Sequence, residues 1–166
     1  MKNLLLFSTI GLILLSIIFL GFKASPTTNI NTSEIKWYTI EEAIAAQEKN
    51  DKKIFIDMYT DWCKWCKVMD QKTFTDQEVI QNMNENFYAV KFNAEQKEAI
   101  TFKGKKYDFV QSGRRGIHTL AYELMDRSAS YPSFVLLDEN LNSLGQIKGY
   151  KAPTQFLSIL KNKVTM

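Results

Sequence analysis

The chain contains two cysteines, Cys63 and Cys66, and two residues separate them in the stretch DWCKWCK. The motif directly follows KIFIDMY, a short apolar run rich in β-branched and aromatic residues that predicts a buried strand. The residues after it, KVMDQKTF, favour a helix. A Cys-x-x-Cys pair at such a strand-to-helix junction can act as a redox couple, supply two ligands to a metal, or close a structural disulfide.

The position of the motif predicts different roles for the two cysteines. At the start of a helix, Cys63 meets unpaired N–H groups and the positive end of the helix dipole, which both favour an anion. Such surroundings lower the pKa of a cysteine thiol to about 3.5–7.5, which makes a thiolate available near neutral pH. Cys66 follows one turn deeper, within disulfide reach. We therefore predict Cys63 as the attacking nucleophile and Cys66 as the resolving thiol.

Two alternative roles of the cysteine pair, metal handling and a structural disulfide, involve no redox catalysis and remain open. Zinc normally takes four ligands, whereas this chain has no second Cys-x-x-Cys and a single histidine, His118, which we interpret as a packing residue. We therefore predict no resident metal. Two thiolates could still carry Cu(I) as a copper-handling metallochaperone, although only Met58 and Met69 lie near the motif. The third class is a non-catalytic binding module in which the disulfide only staples a loop.

The N-terminus predicts contact with a membrane. Residues 4–22 are 19 residues without a charge, which as a helix would span about 28 Å, close to the hydrocarbon thickness of a bilayer. The run is longer than the apolar core of a cleaved signal, about 7–15 residues, which favours an uncleaved anchor. Lys2 places the N-terminus in the cytoplasm and the rest of the chain outside it. We predict a signal peptide or anchor over 1–24, a linker over 25–35 and one folded domain over 36–166.

The charge balance excludes nucleic acid as a partner. The formal net charge is +3, and Lys2 and Lys23 flank the apolar segment, so the rest of the chain carries +3 − 2 = +1. This leaves no basic patch of the kind that binds polyanions. The basic stretches KGKK (103–106) and GRR (113–115) are interpreted as solvated loop charges.

Strand and helix patterns alternate along the chain and then close with two strands and a helix. This order predicts an α/β domain with a central mixed sheet covered by helices on both faces. Capping boxes Thr39-x-x-Glu42 and Thr75-x-x-Glu78 mark two helix starts. The other predicted elements are a strand over 87–93, a hairpin or extended loop over 100–109, a helix over 117–126, two strands over 133–150 and a last helix with Pro153 in its first turn.

Several stretches carry a resemblance to a known family. In FIDMYTDWCKWCK, Trp62 stands directly before the first cysteine, VKFN contains Lys91, SYPSFVLLD contains Pro132, and IKGY contains Gly149. In these stretches, residues 36–164 resemble the thioredoxin superfamily. The sequence of these stretches is similar to that of extracytoplasmic bacterial members, including the C-terminal domain of the membrane thiol–disulfide interchange reductase.

The resemblance implies a thioredoxin fold and a set of supporting residues. Asp57 falls on the family's buried acidic position, where an apolar strand raises a carboxyl pKa and lets it accept a proton from Cys66. Lys91 either pairs with Asp57 or is an edge lysine. Pro132 is expected to follow a cis bond and to expose the backbone of Tyr131 to a bound peptide. The remaining expected substrate-binding residues form an apolar rim, Trp62 and Trp65.

The resemblance also implies a function. The implied function is that of a thiol–disulfide oxidoreductase that acts on protein disulfides in the periplasm, as a reductase more than as an oxidase. The implied enzyme needs no organic cofactor and receives its electrons from a membrane protein. Two departures limit the analogy. Lys64 and Trp65 replace the family's Gly-Pro between the cysteines, and the stretch 94–130 is longer than in a minimal thioredoxin. We expect that stretch to add a hairpin and a longer helix that shape a partner surface.

Overall fold

A computed structural model describes residues 32–164 of the chain. The predicted N-terminal helix and most of the predicted linker therefore lie outside the described residues. Ile35, at the end of that linker, is buried against the folded domain. Within the described residues, no helix is both long enough and apolar enough to span a bilayer.

A five-stranded sheet with the order β1-β3-β2-β8-β9 forms the centre of the domain. The pairs β1–β3 and β3–β2 are parallel, whereas β2–β8 and β8–β9 are antiparallel, so the predicted mixed sheet is confirmed. The strands are β1 (Trp37–Tyr38), β2 (Lys53–Tyr59), β3 (Phe87–Asn93), β4 (Ile100–Phe102), β5 (Lys105–Tyr107), β6 (Phe109–Ser112), β7 (Arg115–His118), β8 (Ser133–Leu137) and β9 (Ser143–Lys148).

Helices cover both faces of this sheet, as predicted. Because side chains alternate along β2, Ile54 and Ile56 enter one core with α1 and α4, while Phe55 enters the other with α3 and α5. The ring of Phe55 stacks on Phe134 of β8 with centroids 5.5 Å apart. The helices are α1 (Ile40–Gln47), α2 (Lys64–Val68), α3 (Gln77–Asn86), α4 (Thr119–Leu124) and α5 (Pro153–Val164), and a π-helical turn, Met69–Thr73, continues α2.

One of the two predicted capping boxes is present. At the start of α1, the Glu42 N–H donates to the Thr39 hydroxyl oxygen at 3.1 Å and the Thr39 N–H donates to the Glu42 carboxylate at 2.9 Å. The second box is wrong. Asp76 caps α3 by accepting from the Glu78 N–H at 3.0 Å, while the hydroxyl of Thr75 donates back to a carbonyl of the π-helical turn. That turn keeps Thr75 in the preceding segment, so α3 begins one residue later than predicted.

The stretch between β3 and β8 holds two hairpins instead of one. Strands β4 and β5 form the predicted hairpin, and β6 and β7 form a second one that the sequence analysis missed. The predicted helix over 117–126 begins only at Thr119 and ends at Leu124, so the expected longer helix is wrong. The turn of the second hairpin lies at Gly113 and Arg114, within the predicted loop GRR (113–115), with Gly113 at a φ of +60°.

Candidate active site

The two cysteines form a disulfide at the end of β2. Their sulfurs are 2.06 Å apart. The Cys63 N–H donates to the Thr60 carbonyl at 3.0 Å, in the turn that leads from β2 to the helix. Cys63 then caps α2, because its Sγ accepts a hydrogen bond from the Cys66 N–H at 3.1 Å. The predicted position of Cys63 at a helix N-terminus is confirmed, and only 4% of its surface is exposed.

A buried carboxyl, Asp57, lies on β2 and is 1% exposed. It is the direct register partner of Lys91 on β3, whose Nζ donates to its Oδ2 at 2.7 Å. The other oxygen, Oδ1, has no hydrogen-bond partner. Burial raises the pKa of Asp57 to about 6, and the opposing attraction of Lys91 only partly offsets it. This carboxyl can therefore gain and lose a proton near neutral pH.

Lys91 also pairs with a second carboxylate, Asp70, which lies in the π-helical turn and is 45% exposed. Burial opposes the charge of Lys91, but the two carboxylates outweigh it and raise its pKa, so the ammonium stays charged. Of the two alternatives predicted for Lys91, the pair with Asp57 is confirmed, and Asp70 is a further partner that the sequence did not predict. Three aromatic rings also lie within 5.0–5.4 Å of the Lys91 Nζ, those of Trp37, Tyr59 and Phe74.

The loop before β8 carries the predicted proline. The Tyr131–Pro132 peptide bond is cis, and the Pro132 carbonyl accepts a hydrogen bond from the Gly149 N–H at 2.9 Å. Ser133 pairs with Met58 near the end of β2. Pro132 therefore lies at the carboxyl end of β2, the same end from which the chain continues into the disulfide.

The two tryptophans expected to form one rim belong to separate aromatic pairs. Trp62 is 47% exposed and meets the ring of Tyr131 edge-on, with centroids 5.8 Å apart. Trp65 is 58% exposed and lies against Tyr150 at 5.5 Å. The structure thus brings Trp62 together with Tyr131 and the proline loop, whereas Trp65 joins the segment after β9.

Two charged residues that the sequence analysis did not assign to the site hold Trp62. Its indole N–H donates to the Glu95 carboxylate at 3.0 Å, and the Arg115 guanidinium lies 4.0 Å from the centroid of the same ring system. Arg115 is exposed, as the interpretation of GRR as solvated charge predicts, but it begins β7 and stacks on Trp62 instead of lying in a loop. Only the position of the second hairpin brings β7 to the tryptophan, and no local pattern in the sequence contains that information.

Comparison with known proteins agrees with this geometry. Residues 23–144 match the model of the Thioredox_DsbH family, described as a protein of unknown function, DUF255. The match covers more than half of the chain, including both cysteines and Pro132. The chain belongs to the Thioredox_DsbH family.

Curated relatives match this family member over short stretches. An uncharacterized protein of Caenorhabditis elegans, B0495.5, is 29% identical over 83 residues, which is 49% of this chain and 11% of that protein. The thiol:disulfide interchange protein DsbD of Actinobacillus pleuropneumoniae is 41% identical over 46 residues, 28% of this chain and 8% of DsbD. The matches therefore cover about a tenth of the length of these relatives.

Solved structures show that the family member has the thioredoxin fold. A structure named DsbH oxidoreductase superposes with a TM-score of 0.60 at 17% identity, covering 89% of this chain and 96% of that one. A thioredoxin from Thermus thermophilus gives 0.58 at 20% identity, with 78% and 86% covered. The C-terminal domain of Neisseria meningitidis DsbD in its oxidised form gives 0.50 at 17%, with 74% and 90% covered.

The family's fold thus gathers most of the predicted site at one end of the sheet. Asp57 and Lys91 pair directly, and the disulfide, Trp62 and the proline loop meet at the carboxyl end of β2. Elsewhere, His118 is buried and hydrogen-bonded. Within residues 32–164, no group of three or more His, Cys, Asp or Glu side chains is placed to hold a metal ion.

Proposed function

We propose that this chain is a thiol–disulfide oxidoreductase that reduces protein disulfides through Cys63 and Cys66. The observation that carries the proposal is the hydrogen bond from the Cys66 N–H to the Cys63 Sγ at the start of α2, 3.1 Å long. After reduction the same N–H can stabilise a thiolate, and a hydrogen bond to the charged form lowers a thiol pKa. We therefore assign the nucleophile to Cys63.

The proposed reaction is two successive exchanges. The Cys63 thiolate attacks one sulfur of the substrate disulfide, forms a mixed disulfide and releases the other substrate sulfur as a thiolate. Cys66, as a thiolate, then attacks the Cys63 sulfur, releases the second substrate thiolate and leaves the Cys63–Cys66 disulfide. Two electrons pass from the protein dithiol to the substrate. A donor protein with a reduced dithiol restores the pair by the same exchange.

Asp57 is the proposed acceptor of the proton that Cys66 loses before it attacks. Its burial, its unpartnered Oδ1 and its pKa of about 6 suit a group that changes protonation near neutral pH. Lys91 supports this role by fixing the other carboxylate oxygen at 2.7 Å. The backbone of Tyr131, next to Pro132, is the proposed partner for an extended substrate peptide.

The direction and the compartment are also proposals. We infer a reductase outside the cytoplasm, supplied with electrons by a membrane protein and attached through residues 1–24 and a linker over 25–35 to the domain 36–166. The uncharged run of residues 4–22 supports the membrane contact. The similarity to proteins named thiol:disulfide interchange protein DsbD supports an exchange of electrons with a redox partner.

The reduction potential of the full-length protein tests the direction. The Cys63–Cys66 couple is equilibrated against glutathione buffers of known potential, and the reduced fraction is read by thiol alkylation. A value near that of thioredoxin, about −270 mV, is the expected result for an electron-delivering reductase. A value nearer −120 to −180 mV would make the protein an oxidant or isomerase and reverse the proposed direction.

A trapping experiment tests the nucleophile. The Cys66→Ser variant is expected to accumulate a mixed disulfide through Cys63 with protein substrates, because no second thiol can resolve it. The matched Cys63→Ser variant is expected to trap nothing. A disulfide that exchanges with no substrate would leave a binding module, and Cu(I) bound at one ion per reduced chain would point to a metallochaperone. Either result would overturn the enzymatic proposal.

A further inference from the structure

Beside Trp62, the residue that precedes Cys63, lies a pocket of about 380 Å³ that the proposed exchange chemistry does not use. Trp62 and Tyr131 form one wall, and Arg115 and Ile117 of the second hairpin form another. The volume lies in the range of about 300–1,000 Å³ that is typical of ligand pockets in proteins. The side chain of a residue near the reactive cysteine of a bound peptide fits a space of this size.

Arg115 has no polar partner for its guanidinium within residues 32–164. Its only described side-chain contact is with the ring system of Trp62, at 4.0 Å. Stacking on an aromatic face orients the planar guanidinium but leaves its N–H groups available, since they point outward in the plane. Those donors match a carboxylate in a two-pronged hydrogen-bonded pair. The arginine is therefore held in place with its hydrogen-bonding capacity unused.

The described pocket lining carries one charge of each sign, Arg115 and Glu95, and the two differ in their partners. Glu95 is the one carboxylate among the lining residues described, and it already accepts the hydrogen bond from the Trp62 indole. The nearby Asp61 accepts from an asparagine amide at 3.3 Å. Lys64 and Lys67 on α2 are exposed, and neither forms an ion pair with the described part of the chain. A carboxylate at Arg115 would therefore meet a cation that has no ion-pair partner among the described residues, while Glu95 stays engaged with the Trp62 indole.

The second hairpin fixes the position of Arg115. At its base, the His118 N–H donates to the Ala94 carbonyl at 2.7 Å, and the His118 ring contacts the Glu98 carbonyl at 3.0 Å. Within the hairpin, Gly116 lets Phe109 cross closely, because a Cβ at Gly116 would lie 2.2 Å from the Phe109 ring. The pocket wall is therefore part of the folded domain, which suits it to discriminate between substrates.

We propose that this pocket recognises an acidic side chain of the substrate. An aspartate or glutamate close to the substrate's reactive cysteine places its carboxylate on the Arg115 guanidinium, while its stem packs against Trp62 and Tyr131. The inference rests on the proposed function and names its substrate class, which is protein disulfides flanked by acidic residues. The second hairpin is then a specificity element and Arg115 a substrate-binding residue.

The test uses three disulfide-bonded peptides that differ at one position next to the cysteine, with Glu, Gln or Lys there. Their kcat/KM values are measured with the full-length reduced protein. Each value is divided by the kcat/KM of the same protein for the neutral 2-hydroxyethyl disulfide, which corrects for differences in thiol reactivity between variants. The Glu peptide is expected to react roughly three to ten times faster than the Gln peptide, the size expected for a partly exposed charged hydrogen bond. High ionic strength is expected to reduce this ratio.

The Arg115→Gln variant is expected to bring the Glu-to-Gln ratio close to one. Arg114→Gln is the matched control, because Arg114 is an exposed neighbour in the hairpin turn that does not line the pocket, and it should keep the ratio. Equal rates for Glu and Gln peptides in the unaltered protein would overturn the proposal. So would a ratio that survives Arg115→Gln, or a Lys peptide that reacts fastest, which would assign the recognition to Glu95.

A binding measurement separates failure of this proposal from failure of the proposed function. Peptides with serine in place of cysteine cannot exchange, and their affinity is read by the fluorescence anisotropy of a dye on the peptide. Tighter binding of the Glu peptide that depends on Arg115 supports the pocket even if no disulfide is reduced. Reduction of all peptides without any difference in binding would leave the proposed function intact and remove the pocket.

Discussion

Two cations near the active site, Lys91 and Arg115, differ in whether the protein supplies their charged partners. On the side of β3, Lys91 joins the buried Asp57 and the half-exposed Asp70, and every one of its contacts is internal. On the side of the second hairpin, Arg115 stacks on the exposed Trp62 and makes no ion pair with any described residue. Lys91 is paired with carboxylates of the protein, whereas the guanidinium of Arg115 is available to a ligand.

Under the proposed function and the proposed role of the pocket, this difference separates the chemistry from the recognition of a substrate. A buried carboxyl with an internal lysine changes its protonation in response to pH and not to the identity of a substrate. An arginine on an exposed aromatic ring responds to whatever enters the adjoining pocket. Substitutions of Asp57 and its partners should therefore change the stability that is lost as the pH rises, whereas substitutions on the second side should change the stability of the hairpin or the preference for a substrate.

The largest effect is expected from Asp57→Asn. The folded pKa of about 6 lies above the ordinary 3.8, so the stability linked to Asp57 is complete below pH 3.8 and is lost as the pH rises through 6. Relative to the unaltered protein, the variant should gain about 2–3 kcal/mol between pH 4 and pH 8. Urea unfolding of the oxidised protein at both pH values measures this gain.

Asp61→Asn is the matched control for that measurement, because it removes an exposed carboxylate from the next turn. Its stability should follow that of the unaltered protein across the same pH range. If Asp57→Asn also runs parallel to the unaltered protein, the buried carboxyl is not the group that titrates.

A smaller effect, a loss of about 2 kcal/mol in stability, is expected from His118→Leu at the base of the second hairpin. The His118 Nδ1 accepts from the Leu120 N–H at 3.3 Å, and its Nε2 contacts the Glu98 carbonyl at 3.0 Å, so leucine leaves two backbone groups without partners. His118→Asn keeps an acceptor for the helix cap and should lose less. Thermal unfolding measures both, and an equal loss in the two variants would contradict the capping role.

His118 also gives the hairpin side a pH dependence of the opposite sign. Burial lowers the pKa of His118 below its ordinary 6.5, so its contribution to stability is present above pH 6.5 and is lost as the pH falls. In the His118→Leu variant this acid-side loss should disappear, while the alkaline-side loss due to Asp57 remains. Unfolding curves from pH 5 to pH 7 detect the change, and an unchanged slope would remove His118 as its source.

Gly116→Ala should cost about 1–2 kcal/mol, because the added Cβ would lie 2.2 Å from the Phe109 ring and 2.5 Å from the Val110 carbonyl oxygen. The ring can move aside, but the carbonyl belongs to the hairpin backbone. Ser112→Ala, an exposed change on the partner strand, is the control. Protease cleavage within residues 109–118 should become faster in Gly116→Ala alone, and equal cleavage of both variants would contradict a close packing at Gly116.

The smallest effect is expected from Asp70→Asn. Loss of this half-exposed partner of Lys91 should change stability by less than about 1 kcal/mol. The negative charge of Asp70 contributes to raising the pKa of Asp57, so its removal should move the midpoint of the pH–stability curve to lower pH. Glu139→Gln, a remote surface change, should leave the midpoint in place. A midpoint that rises in Asp70→Asn would contradict this arrangement.

The chemical side of the molecule could be predicted because its signals are local or tied to a register. The apolar run of β2, the capping box of α1 and the cysteine spacing each lie within a few residues of sequence. The pairing of Asp57 with Lys91 could be predicted as one alternative because both residues lie on predicted strands, and the structure places them directly opposite each other. The π-helical turn was not predictable, because the pattern of a single helical stretch does not show where its hydrogen bonds widen.

The contacts on the side of the second hairpin were not predicted, because they join parts of the chain that are distant in sequence. Arg115 meets Trp62 only after two hairpins have folded, 53 positions along the sequence (115 − 62). The helix predicted over 117–126 began with residues that instead complete β7, since pairing with β6 outweighs their amphipathic spacing. Glu95 gave no signal of its own, because an acidic residue in a polar loop is common on any surface.

The attachment of the second hairpin has a consequence for how this family can diversify. Its base is held by the backbone of Ala94 and by the buried His118, while residues 110–115 are exposed. Under the proposed function, substitutions in residues 110–115 can change which substrates are preferred while the Cys63–Cys66 pair and its exchange chemistry stay the same. In the laboratory the segment 110–115 is accordingly the place to graft new specificities onto this scaffold.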